Sequence, residues 1–156
     1  MMKRTVKITT LALLILFIGI QFIPRDHNES KAPAGKELAK VYPVPSNVLA
    51  IFQRACNDCH SDHTNYPWYA QLQPFRYVLD GHIRGGKAEL NFDEFGDYSA
   101  RRQRSRLRAI GESLEEGSMP LASYTLIHRN AVLSKEERAL LLNWVTITSG
   151  SQPIKN

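Results

Sequence analysis

Apolar residues follow two different patterns along this chain, separated by a polar stretch. From residue 8 to 23 they form a nearly unbroken run, interrupted by Thr9, Thr10, Gly19 and Gln21. From residue 46 onward they recur at helical spacing instead. Val48, Leu49 and Phe52, continued by Ala55, Cys56 and Cys59, predict a helix over 47–57 with Ser46 as its N-cap. A second helix is expected over 75–83, stopped by Gly85 and Gly86. Leu107, Ile110 and Leu114 give the apolar stripe of a long helix over 99–116 that ends at Gly117. Ser134-Lys135-Glu136-Glu137 has the form of a capping box, and Leu140, Leu141, Trp144 and Val145 follow it as far as Gly150. Residues 61–74, with Asn65, Pro67 and Pro74, read as an ordered loop, as do 90–98 and 118–133. No sustained alternation of the strand type occurs. The expected class is all-α: a few helices joined by long loops. Loops of that length in a small domain call for an internal reason, which a large prosthetic group wrapped by the chain would supply.

The first apolar run is of another kind. Lys3, Arg4 and Lys7 precede it, and no acidic residue occurs before Asp26. Residues 5–23 would extend about 28 Å as a helix, against about 30 Å of bilayer hydrocarbon. The expectation is one N-terminal transmembrane helix, an uncleaved signal anchor. Ala32-Pro33-Ala34 is the alternative, a cleavage site, although it lies far beyond Ile23. The basic end stays inside, which places the rest outside the cytoplasmic membrane, in the periplasm. The chain then divides into 1–24 as anchor or signal, 25–45 as a linker, 46–150 as the folded domain and 151–156 as a tail. Within the linker, 36–41 has the pattern of one short helical turn.

Composition changes this picture only in part. The chain has 156 residues, 43% hydrophobic and 22% charged, enough for one domain with a core. It has 20 basic and 15 acidic residues, but three of the basic ones sit before the apolar run. The positive balance therefore reports the N-terminal segment more than an anionic partner. Two cysteines are too few for a disulfide framework.

Those two cysteines lie in Cys56-Asn57-Asp58-Cys59-His60, the Cys-x-x-Cys-His signature of c-type haem attachment. On a helix, thiols three residues apart share a face, so each reaches one vinyl group of the same porphyrin, and His60 follows to ligate the iron. Its other ring nitrogen needs an acceptor, for which the carbonyls of Pro67 and Pro74 are candidates. A thioredoxin-like pair would need a strand–helix setting. A zinc site would draw on Cys56, Cys59 and two of His60, His63 and His82, without the usual finger spacing. Covalent haem c, one per chain, agrees best with an export segment. For the second axial ligand, Met119 is the single methionine beyond the N-terminus and lies in Gly117-Ser118-Met119-Pro120. A core gap-filler is its bland alternative. His82 and His128 are the next candidate ligands and His63 the last, and an open sixth position is a further option.

Trp68, Tyr69, Phe75, Phe92, Phe95 and Tyr124 are available as pocket walls or as ordinary core. Arg101, Arg102, Arg104, Arg106 and Arg108, at nearly every second position, spread around their helix. They read first as a solvated face, then as partners for haem propionates or for an acidic redox protein. No nucleic-acid motif is present.

The order of Cys-x-x-Cys-His, a later Met in a loop and a closing helix resembles small class I c-type cytochromes. Over 46–148 the chain resembles more closely the bacterial haem-binding domain family, through Cys56–Ser61, Tyr66-Pro67-Trp68-Tyr69, Leu90-Asn91-Phe92, Gly117-Ser118-Met119-Pro120 with Tyr124, and His128 with Leu133, Ser134, Glu137 and Trp144. The family pattern usually has Pro after the His of the last loop, where Arg129 stands here. The resemblance implies covalent haem on Cys56 and Cys59, His60 as proximal ligand and Met119 as distal ligand. The expected function is a membrane-anchored monohaem electron carrier serving redox protein partners, with no catalysis of its own. The alternative is a haem sensor or peroxidase-like enzyme with an exchangeable sixth site.

Overall fold

The computed structural model describes residues 2–30 and 36–151, and every extended regular element in it is helical. The expected all-α class is what forms. Among the described residues, β pairing is limited to an isolated bridge between Glu29 and His63. Ala32-Pro33-Ala34 and most of the expected tail lie outside the described residues.

Helix α1, Met2–Ile20, forms over the apolar run. Its first two turns contain Lys3, Arg4 and Lys7, and the 13 residues beyond them rise only about 20 Å. The chain leaves helical geometry at Gln21. No helix among the described residues is long and apolar enough to cross a membrane, which corrects the expected transmembrane helix.

The later part of the segment expected as a linker, 38–43, is packed. Helix α2, Leu38–Val41, gives Leu38 and Val41 to the core, and Tyr42 beside it is buried with its hydroxyl on Gln103 Oε1 at 3.3 Å. Trp144 Nε1 donates to the carbonyl of Pro43 at 3.0 Å. Such a segment shows no long apolar period because three side chains and a few hydrogen bonds, Leu38 N to the Phe92 carbonyl at 2.8 Å among them, are enough to hold it.

Helix α3, Ser46–Ala55, buries Val48, Ile51, Phe52 and Ala55 at i, i+3, i+4 and i+7. It begins one residue earlier than expected. Pro45 stands at the cap, its carbonyl accepting from Leu49 N at 2.9 Å, so Ser46 does not cap it. At Cys56 the backbone leaves helical geometry and a separate turn, α4, Asn57–His60, starts. The long helix α6, Ala100–Glu116, is capped by the Ser99 hydroxyl, which accepts from Arg102 N. It ends on Gly117 at φ 69°, where a side chain would be strained. Helix α8, Lys135–Ser149, carries the expected capping box: Ser134 Oγ accepts from Glu137 N at 3.1 Å and Ser134 N donates to Glu137 Oε2 at 2.9 Å. Replacing Ser134 with Ala should cost about 1 kcal/mol in chemical unfolding without changing the fold.

Helix α5, Phe75–Glu89, runs straight through Gly85 and Gly86, which were expected to stop it. Helix α7, Ala122–Ile127, and short 3₁₀ turns at Trp68–Gln71, Phe95–Asp97 and Arg129–Ala131 fill the segments expected as loops. Arg129 thus opens a helical turn where proline was expected.

The buried apolar residues form two clusters. The larger joins α2, α3, α6 and α8 around Phe52, whose ring lies 5.1 Å from Phe92 and 5.4 Å from Trp144, with Cys56 packed against it. The smaller holds Ala70, Leu79 and Ile83, with Cys59 packed against it. The two cysteines therefore pack against different clusters, and both border a cleft.

Candidate functional site

The break at Cys56 sets the site. With Cys56 at the N-cap of α4, its carbonyl accepts from both Cys59 N and His60 N, at 3.2 and 3.0 Å. The cysteines are still one turn apart, but on a tight separate turn and not on one continuous helix as expected. This turn lies so close to α5 that a Cβ on Gly86 would come within 2.6 Å of the Cys59 carbonyl oxygen. Glycine is needed at 86 for that approach, whereas Gly85 faces open space. A carboxylate and a tyrosine close the other side: Tyr124 OH donates to Asp58 Oδ2 at 2.6 Å, and Asn65 N donates to Asp58 Oδ1 at 3.0 Å. Burial first, and then that bond to a carboxylate, push the Tyr124 hydroxyl far above its ordinary range, so it stays protonated.

His60 is clamped twice by the segment after α5. Its Nδ1 lies 2.9 Å from the carbonyl of Leu90, and its own carbonyl accepts from Phe92 N at 2.8 Å. A carbonyl can only accept, so Nδ1 carries the proton and the Nε2 lone pair is left for a metal. The acceptor is neither Pro67 nor Pro74. Sequence offered no means of choosing it, since every residue has a carbonyl.

The cleft has two abutting lobes of about 250 Å³ each. Ala55, Cys56, His60, Met119 and Pro120 border both. The first is walled mainly by apolar groups, among them Phe52, Ile110 and Leu141 from α3, α6 and α8, and Phe92 from the segment after α5. The second is bounded by Cys59, Gly81, His82, Gly86 and Tyr124. Cys56, Cys59, His60 and Met119 are thus brought to one cleft. Met119 is 37% exposed and rides on the turn that closes α6, its backbone N–H on the Ser113 carbonyl at 3.4 Å. Of the alternative histidines, His82 borders the second lobe. His128 is stacked on Tyr124 at 4.0 Å, its Nδ1 on the Tyr124 carbonyl at 3.1 Å. His63 sits on the Glu29 bridge, on the far side of the motif.

The expected pocket walls are only partly walls. Phe92 and Tyr124 line the cleft, Phe95 is wholly buried in the core, and Trp68 points to solvent. From the arginine run, Arg101 and Arg108 are exposed, and Arg102 covers the Tyr98 ring at 4.0 Å. Arg106 borders the first lobe. Its Nη1 holds Glu89 Oε2 at 2.7 Å, while its Nε is buried without a hydrogen-bond partner. A buried, unpartnered guanidinium nitrogen at the edge of an apolar cavity is a place for an anionic group. The alternating charge pattern could not single it out, because all five arginines look alike in sequence.

The thiol environment argues against the redox alternative. Burial pushes Cys56 up to about 12, with Cys59 beside it adding to the effect, and burial followed by the Asp58 charge pushes Cys59 up to about 11. Attacking thiols have depressed values instead. The zinc alternative fares no better. Among the described residues, no three of His, Cys, Asp and Glu converge as a metal site.

Comparison with known proteins agrees with this geometry. The chain is 24% identical over 153 residues to cytochrome c peroxidase Ccp of Escherichia coli (strain K12), covering 92% of this chain and 32% of that protein. The chain thus spans about a third of that relative's length. No solved structure matches. The haem-binding domain family matches residues 15–147, which include the cleft and every residue around it, and the chain belongs to that family.

Proposed function

We propose that this haem protein is a c-type electron carrier, with one haem joined covalently to Cys56 and Cys59 and held between His60 Nε2 and Met119 Sδ. The observation that carries the reading is the convergence of four donors of the right kinds on one apolar cleft, with His60 already fixed in the required tautomer. The residues fit the group. One thiol stands against each cluster, the walls are largely apolar, and the unpartnered Nε of Arg106 suits a propionate. Bound haem supplies a one-electron couple. The chain contributes the axial donors and the apolar surroundings that raise its potential. The protein partners that give and take the electron are other redox proteins.

Replacing Met119 with Ala should abolish the weak red-region band of methionine-ligated ferric haem and lower the reduction potential. An unchanged ferric spectrum would remove Met119 from the site. A second reading is favoured by the exposure of Met119 on a short turn and by the name of the Escherichia coli relative: peroxidase-like chemistry or ligand sensing at an exchangeable sixth position. Rapid binding of carbon monoxide by the reduced protein and turnover of peroxide would favour it over simple electron transfer.

We place the haem domain outside the cytoplasmic membrane, where c-type haem is attached, with α1 as its export segment and lipid-associated surface. What supports this is the basic start of α1 followed by apolar side chains exposed along its whole length.

A further inference from the structure

The haem domain carries an exposed apolar face of its own. Trp68 is 77% exposed, Phe75 55% and Val78 53%, with Leu72 beside them. They share one end of the domain: the rings of Trp68 and Phe75 both meet Tyr69 edge-on, at 6.0 and 6.4 Å, and Val78 follows Phe75 by one turn of α5. Single exposed apolar side chains are ordinary, but a cluster with an outward-facing tryptophan calls for a partner.

The neighbour of this face is the end of α1. Gln21 Nε2 donates to the Gln73 carbonyl at 3.3 Å, and Gln73 N donates to Gln21 Oε1 at 3.0 Å. Arg25 Nη1 donates to Gln71 Oε1 at 2.9 Å. These bonds fasten the chain just after α1 to residues 71–73, between Trp68 and Phe75. Phe17 of α1 is exposed, as are Phe22 and Ile23 after it, so apolar surface continues from the helix onto the domain.

We infer that Trp68, Leu72, Phe75 and Val78 form a lipid-contacting face that rests the haem domain on the same bilayer surface with which α1 associates. Tryptophan is the side chain best suited to the boundary between headgroups and acyl chains, and Arg25 at the rim meets anionic headgroups. Membrane contact would then fix the orientation of the cleft, since α5 carries both Phe75 and Val78 of this face and the His82–Gly86 wall. The inference rests on the reading of α1 as lipid-associated, and the test separates the two.

The full haem-loaded chain is mixed with phosphatidylcholine–phosphatidylglycerol vesicles, with and without bromine in the acyl chains, and tryptophan emission is read alongside sedimentation. Bromine should quench Trp68 emission and leave the buried Trp144 untouched, so that Trp68→Phe removes the quenching. Phe75→Asp combined with Val78→Asp should also remove it while the chain still sediments with vesicles through α1. A sedimenting chain whose Trp68 stays unquenched overturns the lipid-contacting face alone. A chain that does not sediment overturns both that face and the lipid association of α1.

Discussion

In a chain with Cys56→Ala and Cys59→Ala together, all haem should become extractable by acidified organic solvent, whereas none should leave the unaltered chain. The expectation follows from where the two thiols stand. Cys56 packs against the larger cluster and Cys59 against the smaller, and both border the cleft. Both are free thiols at the cleft, available for thioether formation. The pyridine haemochrome of the unaltered chain should show the band shift of a porphyrin whose two vinyl groups are saturated. Each single variant should show the intermediate position. Haem that stayed with the double variant through denaturation would mean that attachment is elsewhere.

The second large effect is steric. Gly86→Ala should lower stability by roughly 1–3 kcal/mol and reduce haem incorporation, since the new methyl would lie 2.6 Å from the Cys59 carbonyl oxygen and backbone cannot step aside as a side chain can. Gly85→Ala, one residue away on the same helix, points its new methyl into the second lobe of the cleft without meeting a protein atom, so in the haem-free chain it should be neutral or slightly stabilising, by up to about 1 kcal/mol. Thermal unfolding of the pair checks both. Equal melting temperatures would mean that α4 and α5 are not held at this distance in solution.

These two glycines also show what could be read from sequence. Side by side inside a helical stretch they look alike, and both resemble a stop signal. The helix continues because Leu79 and Ile83 anchor it on the smaller cluster, and that outweighs the propensity cost of two glycines. The last helix was legible because its capping box is local: Ser134 and Glu137 state their contact in the spacing. The grouping of Cys56, Cys59 and His60 on one cleft was legible for the same reason, the three lying within five consecutive residues. What stayed hidden depends on contacts between distant segments: the Leu90 carbonyl on His60, Arg106 at the cleft, and Leu38 to Tyr42 in the core. The apolar run was legible as a helix. Its extent was not, because the basic residues and the turn after Ile20 shorten the apolar part.

The double clamp on His60 has a bearing on speed. Leu90 holds the imidazole ring and Phe92 holds the backbone of the same residue, and both come from one short segment pinned by Asn91, whose N–H donates to Tyr98 OH at 2.9 Å and whose side chain donates to Asp62 Oδ1 at 2.9 Å. On the proposed reading, with His60 on the haem iron, a ligand gripped at both ends would move little when the charge on the metal changes by one. In the language of electron transfer, the inner-shell reorganisation energy on the histidine side would be kept small. Exchange can then be fast even where donor and acceptor differ little in potential.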